Sequence, residues 1–444
     1  MARLDKIGIV CVALVYIEAW SQHSLLNAGP MLGAATMREV CIWVQTRQPA
    51  WVRIAYWDTA LPQQRRWTDS VRTERATGYT AHLRAEQLLP GRVYGYQLYL
   101  NGEPVSFPYP LYFRTPPLWQ GRSDPPTFRV AVGSCAYIND PLADRPGPPY
   151  GGQYEIFESI ARLQPELMLW LGDNVYFRET DWDSRSGMIA RYTHDRALPQ
   201  LQRFLATVHH YAIWDDHDYG PNDSDRSFLH KHTARQVFTL FWCNPTVGID
   251  GTQGITTAFS WGDVDFFLLD NRFWRTPNRL SSGQRTLLGP EQFQWLREAL
   301  LSSRASFKII AIGGQVLNPL PVFETYARCA PEEREELLQF LDSTRIPGVI
   351  FLSGDRHFTE LSRLERKGLY PLYELTTSPL TASPFRNADR EPNPLRIPET
   401  LVTERNFALL EFTGPASDRE LVIRVYNAGG ALLWEHRLHA SELQ

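Results

Sequence analysis

Five apolar runs in this chain end on residues that bind metal ions or move protons. The runs are rich in β-branched and aromatic residues and are bounded by Gly or Ser, a pattern typical of buried strands. In chain order they are FRVAVGSC ending at Cys135, LMLWLGD at Asp173, YAIWDDHD at 215–218, VDFFLLD at Asp270, and VIFLSGDRH at 355–357. Ligands of open α/β sheets bind at the carboxyl ends of the strands. We therefore predict that the five endings converge on one site.

The WDDHD segment at 214–218 is the most informative of these endings. Adjacent carboxylates repel each other unless cations or hydrogen bonds offset their charge. Because an apolar run buries the start of the segment, metal binding is favoured over a solvated acidic turn. His217, next to Asp216, is placed for general acid catalysis or for holding a phosphoryl oxygen.

The remaining endings are ambiguous when each is taken alone. In GDNVY, Asp173 could bridge two cations and Tyr176 could bind one of them as a phenolate, but a capping Asp followed by a core Tyr is favoured when the segment is taken alone, because Gly-Asp is a frequent turn. Asp355 and His357 lie two residues apart, on the same side of an extended segment, so both could reach neighbouring metals. Cys135 alone is more typical of packing than of ligation. Only the combination favours a metal site.

Composition limits the alternatives. The chain has 444 residues, of which 43% are hydrophobic and 21% charged, as in ordinary globular proteins of two or three domains. The net charge of −4 argues against a nucleic-acid-binding surface. No apolar stretch reaches the roughly 20 residues of a membrane helix. We predict a soluble mature chain without a membrane span.

The N-terminus has the features of an export signal. Arg3 and Lys6 precede a short apolar core, and Ala19 and Ser21 are placed like a small-residue cleavage site. Glu18 inside the run favours the alternative, a first buried element of the domain. We predict a signal peptide over 1–22 and a secreted or periplasmic protein. The five cysteines are far apart and contain no C-x-x-C pair, so no disulfide framework is indicated.

Two regions with different predicted secondary-structure patterns follow. Short alternating strands with Pro-Gly and Asn-Gly turns predict a small β-sandwich over 29–117. A Pro-rich stretch at 116–127 is interpreted as a linker. From 125 to 440 strands and helices alternate, which predicts an α/β domain.

Local signals place several elements of that α/β domain. AFSWGDVDFFLLD predicts a hairpin about Gly262–Asp263, and Pro290 is expected to begin a helix. A second helix is expected near 331–343, and the tail should add three strands as a second sheet packed on the first. The irregular, Pro-rich stretch at 381–400 is long enough to suggest a functional loop.

The set of motifs resembles the PhoD-like alkaline phosphatase/phosphodiesterase branch of the metallophosphoesterase superfamily. The matching segments, in the family's order, are GSC at 133–135, GDNVY at 172–176, WDDHD at 214–218, LLDNR at 268–272 and SGDRH at 353–357. An early segment like GPMLG at 29–33 also belongs to the resemblance. Relative to the wider superfamily, the Cys135 segment replaces D-x-H and Asp355 replaces a His of G-H-x-H. Gln315 occupies the region of the superfamily's intervening histidine motif.

The resemblance implies a two-sheet metallophosphoesterase sandwich flanked by helices, preceded by an immunoglobulin- or fibronectin-like β-sandwich. It also implies a metal centre of two or more ions. One site would use Cys135, Asp173, Tyr176 and His357, a donor set that suits Fe³⁺. The other would share Asp173 and add Asp216 and Asp355, a set of oxygens that suits Ca²⁺, Mg²⁺ or Mn²⁺.

The implied reaction is hydrolysis of small-molecule phosphate monoesters or diesters by a metal-activated hydroxide. In this reaction His217 would assist the leaving group. Arg272 would contact the phosphate, or it would pair with Asp270 and hold the loop. Two other classes remain open: a non-catalytic relative that serves as a binding or adhesion module, and a metal-dependent hydrolase of carboxylic esters or lactones.

Overall fold

The computed structural model describes residues 23–251, 253–280 and 283–444. The predicted signal peptide at 1–22 lies outside the described residues. None of the helices within these ranges is long and apolar enough to cross a bilayer.

Strands are the main regular secondary structure of the described residues. These are β1 (Leu26–Ala35), β2 (Val40–Thr46), β3 (Trp51–Asp58), β4 (Arg66–Trp67), β5 (Val71–Arg72), β6 (Thr80–Ala85), β7 (Val93–Leu100), β8 (Glu103–Pro104), β9 (Tyr112–Arg114), β10 (Phe128–Gly133), β11 (Leu167–Leu171), β12 (His209–Ile213), β13 (Thr257–Trp261), β14 (Val264–Leu268), β15 (Phe307–Ile312), β16 (Val349–Ser353), β17 (Glu360–Arg366), β18 (Leu369–Thr376), β19 (Asn406–Thr413), β20 (Glu420–Asn427) and β21 (Leu432–His439).

Helices connect many of these strands. They are α1 (Ile156–Leu163), α2 (Arg185–Arg196), α3 (Pro199–Thr207), α4 (Asp216–Tyr219), α5 (Lys231–Phe241), α6 (Pro290–Ser302), α7 (Tyr326–Cys329) and α8 (Pro331–Thr344). The predicted helix starting at Pro290 and the one near 331–343 are confirmed as α6 and α8. Proline begins both helices because its fixed φ suits a first turn whose N–H groups have no helical partner.

Two large mixed sheets carry the candidate site. A nine-stranded sheet has the order β21-β20-β19-β10-β11-β12-β1-β2-β6, and a six-stranded sheet has the order β13-β14-β15-β16-β18-β17. β10, β11 and β12 are parallel neighbours in the first sheet, and β14, β15 and β16 are parallel neighbours in the second. The carboxyl ends of β10, β11, β12, β14 and β16 are the five strand endings that the sequence analysis selected. The predicted hairpin about Gly262–Asp263 is confirmed by the antiparallel pair β13 and β14.

The two sheets pack face to face through aromatic side chains. Phe412 of the nine-stranded sheet lies 5.5 Å from Phe307 and 6.3 Å from Phe266 of the six-stranded sheet, measured between ring centroids. Tyr211 stacks on Phe259 at 3.8 Å across the same interface. All of these rings except Phe259 are fully buried, and burying a side chain of this size stabilises the fold by about 1.5–3 kcal/mol. The predicted two-sheet α/β architecture is therefore present.

Long-range pairing changes two parts of the expected layout. β1 pairs in parallel with β12, with Leu32 opposite His209, and β2 and β6 continue the same sheet. The strands of the predicted sandwich over 29–117 are therefore divided between the nine-stranded sheet and a separate small sheet of β3–β5 and β7–β9. The three tail strands do not form a second sheet, because β19 pairs with β10 and extends the nine-stranded one. The immunoglobulin-like character of 29–117 stays a prediction.

Candidate metal centre

The candidate ligands follow parallel strands on turns with unusual backbone angles. Cys135, Asp173, Asp355 and His357 have positive φ values of 59°, 52°, 65° and 54°. Residues other than glycine rarely adopt this left-handed conformation, and where they do the surrounding structure must hold them there. Four such residues at the ends of β10, β11 and β16 indicate a site in which side-chain position outweighs local backbone preference.

Glycines allow the ligand-bearing turns to approach one another at this edge, both within one sheet and between the two sheets. A Cβ on Gly354 would lie 2.6 Å from Ser134 Oγ of the opposite sheet, which is closer than real contacts allow. Gly172, with φ of 92°, lies so close to Asp215 that a Cβ would meet its side chain at 2.6 Å. The glycines of the GDN and GDR motifs therefore bring the ligand-bearing turns together.

Three overlapping groups of side chains have ligand atoms close enough to hold cations. Within each group the ligand atoms lie within 4.8 Å of one another. The groups are Cys135–Asp173–His357, Asp173–Asp216–His217 and Asp215–Asp216–Asp355. Asp173 belongs to the first two groups and Asp216 to the last two, so the groups form a continuous row. Among the described residues, none of these groups draws a member from 23–117.

The thiol end of the row is completed by Tyr176. Its hydroxyl lies 3.2 Å from Nε2 of His357, and Cys135 Sγ lies 3.7 Å from Oδ2 of Asp173. Nδ1 of His357 lies 2.7 Å from the carbonyl oxygen of Ser383, which can only accept a hydrogen bond. The proton is therefore on Nδ1, and Nε2 offers its lone pair to the site, the arrangement found in metal-binding histidines.

The carboxylate end is held by a buried ion network. Arg272 is fully buried and donates through Nε to Oδ1 of Asp215 and through Nη2 to Oε2 of Glu324 at 2.6 Å. Its Nη2 also lies 3.8 Å from Oδ1 of Asp216. Although burial opposes the charge, these carboxylates keep the pKa of Arg272 above its usual value. The guanidinium is thus occupied by protein carboxylates.

Asp218 and Gln315 hold the surrounding loops and are not placed as ligands. Asp218 accepts hydrogen bonds from the backbone N–H groups of Asp173, Asn174 and Asp215 at 3.3, 3.1 and 2.5 Å, and so ties the turn after β11 to the start of α4. Gln315 donates to Glu360 at 2.8 Å and accepts from Arg356 at 2.7 Å. The side chain of Gln315 therefore holds the residue between Asp355 and His357.

The electrostatics of the row fit bound cations. Burial, followed by repulsion from Asp216 and Cys135, raises the pKa of Asp173 well above its usual value. Burial and the charge of Asp355 raise the pKa of Cys135 to about 12. Oδ2 of Asp215 and Oδ1 of Asp216 are buried without a hydrogen-bond partner. Such groups ionise readily beside cations, because a positive charge offsets both burial and mutual repulsion.

A cavity of about 690 Å³ opens beside the row. Tyr176 and His217 form its inner wall, and the segment 139–150 forms much of its outer wall. Arg178 also lines it and donates through Nε to the hydroxyl of Tyr137 at 3.0 Å. Within the described ranges Arg178 forms no ion pair, so its charge is available to an anion in the cavity. Burial lowers the pKa of His217 to about 4, so its ring is neutral at neutral pH.

Comparison with known proteins identifies the family. The model of the PhoD-like phosphatase family matches residues 130–414, which is more than half of the chain. The chain belongs to the PhoD-like phosphatase family. A domain family of unknown function, DUF7800, matches residues 23–116. The family resemblance inferred from the motifs is therefore confirmed.

Individual relatives of this PhoD-like chain are distant in sequence. Alkaline phosphatase D of Bacillus subtilis (strain 168) is 22% identical over 338 residues, covering 64% of this chain and 54% of that protein. The chain thus spans about half the length of this curated relative. A solved structure of PhoD superposes with a TM-score of 0.76 at 18% identity, covering 94% of this chain and 92% of that one. The structure of a purple acid phosphatase from seeds of yellow lupin (Lupinus luteus) superposes with a TM-score of 0.65 at 13% identity. The match covers 92% of this chain and 74% of that one. These structures share the fold.

The structure brings most of the predicted site residues together. Cys135, Asp173, Tyr176, Asp216, His217, Asp355 and His357 all lie in the row or contact it. Arg272 lies behind the row, and its side chain pairs with Asp215 and Glu324 instead of Asp270. Asp270 instead accepts the backbone N–H of Arg272 at 2.8 Å.

Sequence reasoning missed two participants. Asp215 is a candidate ligand, and its position beside Asp216 in WDDHD was a usable signal. Glu324 lies in no motif, and only the fold places it against Arg272.

Proposed function

We propose that this protein hydrolyses small-molecule phosphate esters at a centre of two or more metal ions. The observation that carries the proposal is the row of three cation-binding groups, joined by Asp173 and Asp216, beside an open cavity. Family membership and the fold shared with two phosphatases support the same reaction class. The proposed substrates are phosphate monoesters, diesters or both.

The donor atoms suggest which metals would bind. Cys135, Tyr176 and His357, together with Asp173, would hold Fe³⁺, because thiolate and phenolate suit a transition metal. The carboxylates of Asp216 and Asp355, with Asp173 as the shared ligand, would hold Ca²⁺, Mg²⁺ or Mn²⁺. Asp215 joins this oxygen-rich end. Bound cations would neutralise charge on the phosphoryl group and lower the pKa of a water molecule, which supplies the nucleophile at neutral pH.

The chain's own residues would orient the ester. His217 lines the cavity beside Asp173 and Asp216, and its neutral ring can donate an N–H to a phosphoryl or leaving-group oxygen. We assign the phosphate contact to Arg178 in place of Arg272, because Arg272 is fully buried and occupied. Arg178 reaches the cavity and has no carboxylate partner within the described part of the chain.

A matched pair of variants tests the phosphate contact. Arg178→Gln should raise KM for p-nitrophenyl phosphate about tenfold or more, since a charge-assisted hydrogen bond to the substrate is lost. Arg145 lines the same cavity but is largely exposed and pairs with Glu179 at 2.6 Å, so Arg145→Gln should change KM less than about twofold. Equal KM values for both variants would remove Arg178 from substrate binding.

The reaction class is tested on protein purified without added metal. Elemental analysis should find a transition metal together with Ca²⁺, Mg²⁺ or Mn²⁺. Hydrolysis of p-nitrophenyl and bis-p-nitrophenyl phosphate should stop when chelators remove the metals and return when they are restored. Activity on neither phosphate substrate, combined with hydrolysis of an acyl ester or lactone, would make the protein a carboxylic ester hydrolase. No activity on any of these by the metal-loaded protein would favour a binding or adhesion role.

A further inference from the structure

The cavity beside the metal centre is larger than a phosphoryl group requires. Its 690 Å³ lies within the range of about 300–1,000 Å³ typical of pockets for whole small molecules. Much of its wall comes from rings: Tyr137, Tyr150 and Tyr176, with prolines 141, 146, 148 and 149. The cavity therefore has room and apolar surface for the organic part of an ester.

Tyr150 is the part of this wall most open to a ligand. Its side chain is 37% exposed, whereas Tyr137 and Tyr176 are buried. Its ring centroid lies 4.9 Å from that of Tyr137 and 6.2 Å from that of Tyr176, both in edge-to-face arrangements. Its hydroxyl lies 3.3 Å from Nδ1 of His357, so the ring is next to the metal centre. An aromatic group beside the phosphoryl group would meet the Tyr150 ring.

The segment that carries Tyr150 is tied in place. The carbonyl oxygen of Tyr150 accepts from Ser383 Oγ at 2.9 Å and from Arg405 Nη2 at 3.2 Å. Gly152 N–H donates to the carbonyl of Thr381 at 3.0 Å. Asn139 bridges the base of the loop by donating to the carbonyl of Gly151 at 2.9 Å. These contacts join 139–152 to the segment after β18, so the ring of Tyr150 is positioned before a ligand binds, which lowers the entropy cost of binding.

We propose that Tyr150, supported by Tyr137, forms a pocket for the alcohol part of the substrate and selects phosphate esters whose alcohol carries an aromatic ring. The proposal rests on the proposed function and specifies its substrate class. Aromatic rings gain from edge-to-face and offset-stacked contacts with other rings beyond the burial of their area, and an open alkyl chain does not. Arg178, which lies 4.8 Å above the Tyr137 ring, would hold the phosphoryl group at the inner end of the same pocket.

Binding of non-hydrolysable analogues tests the pocket without relying on turnover. Benzylphosphonate and butylphosphonate carry the same charge and differ in the ring, and calorimetry on the metal-loaded protein gives Kd for each. We expect the wild type to bind benzylphosphonate about tenfold more tightly. Tyr150→Phe, which keeps the ring and removes the hydroxyl, should retain that ratio, and Tyr150→Leu should reduce it to about twofold or less. Leu142→Ala is the control, because Leu142 is 95% exposed on the same segment and does not line the cavity.

Two binding results would overturn the pocket assignment: a wild-type ratio near one, or an unchanged ratio in Tyr150→Leu that retains its metal content and melting temperature. Hydrolysis separates this failure from failure of the proposed function. Benzyl and butyl phosphate both release alkoxides of high basicity, so their relative kcat/KM reports mainly on binding of the alcohol part. Hydrolysis of both esters at equal kcat/KM would overturn the pocket and keep the phosphatase. Tight, Tyr150-dependent binding of benzylphosphonate without hydrolysis of any phosphate ester would keep the pocket and overturn the phosphatase.

Discussion

Removing Arg272 should destabilise the fold, because this residue neutralises buried carboxylates. Arg272 and Asp215 both have fully buried side chains, and Arg272 also donates to Glu324. Arg272→Met keeps most of the volume and removes the charge. Glu324 would keep Arg275, whose Nη2 donates to it at 2.8 Å, and Asp215 would keep the neutral donor Asn271 Nδ2 at 2.8 Å. The cost therefore falls mainly on Asp215.

Breaking one buried ion pair costs about 3–5 kcal/mol, because the remaining charge stays in a poorly solvated place. Since Glu324 retains Arg275 as a cationic partner, we expect the free energy of unfolding to fall by an amount near the lower end of this range, about 3 kcal/mol. Urea unfolding of chelator-treated protein measures this loss without a contribution from bound metal. Adding Asp215→Asn to Arg272→Met should restore at least about 1 kcal/mol, since the stranded charge is removed.

A surface arginine provides the control. Arg437 is 52% exposed and pairs with Glu420 and Glu435, so Arg437→Met should leave the free energy of unfolding close to that of the wild type. The structural role of Arg272 is refuted if Arg272→Met leaves the free energy of unfolding within about 1 kcal/mol of wild type and raises KM for p-nitrophenyl phosphate more than tenfold. That result would restore the sequence-based hypothesis that Arg272 contacts the phosphate.

Three further predictions concern the metal centre and the response to acid. Asp173→Asn should deplete both kinds of metal and lower activity more than any other single ligand change, whereas loss of Asp216 should deplete mainly the oxygen-ligated metal. Elemental analysis measures both effects, and full metal content in Asp173→Asn would exclude a bridging role for Asp173. If the protein contains Fe³⁺, Tyr176→Phe should shift or weaken its visible absorption without unfolding it, because the phenolate donor is removed while the ring remains; an unchanged spectrum in the iron-loaded variant would remove Tyr176 from the ligand set. His210 is fully buried and accepts the indole N–H of Trp170 at 3.0 Å, and burial lowers its pKa to about 3. The folded state therefore favours the neutral form of His210. Its contribution to the free energy of unfolding is complete above about pH 6.5 and falls by about 1.4 kcal/mol per pH unit as the pH decreases towards 3. Urea unfolding of chelator-treated wild type and His210→Gln at pH 7, 6 and 5 tests this. The free energy of unfolding should change less steeply with pH in His210→Gln, by about that amount per pH unit. Equal slopes in the two proteins would show that His210 does not resist protonation.

The candidate residues of the metal centre could be selected from the sequence alone. Cys135, Asp173, Asp216 and His357 follow apolar runs, and a run of that kind is a local signal of a buried strand. Parallel strands present their carboxyl ends at one edge, so a list of strand endings is already a list of candidate ligands. For the same reason the hairpin about Gly262–Asp263 could be predicted from its turn and flanking residues alone.

How these residues are paired depends on contacts between segments that are distant in the chain. Arg272 and Glu324 are 52 positions apart in the chain and meet because β14 and β15 are neighbours, so no local pattern could show that the guanidinium is occupied. In the same way, β1 joins β12 and the tail strands join β10 through backbone hydrogen bonds between distant segments. Strand pairing depends on which sheet edge is free once the rest of the sheet has formed. The periodicity of side chains along a strand indicates which residues are buried, but it does not indicate which strand lies next to it. The alternation that predicted a separate N-terminal sandwich is therefore equally compatible with strands that complete the sheet of the candidate site.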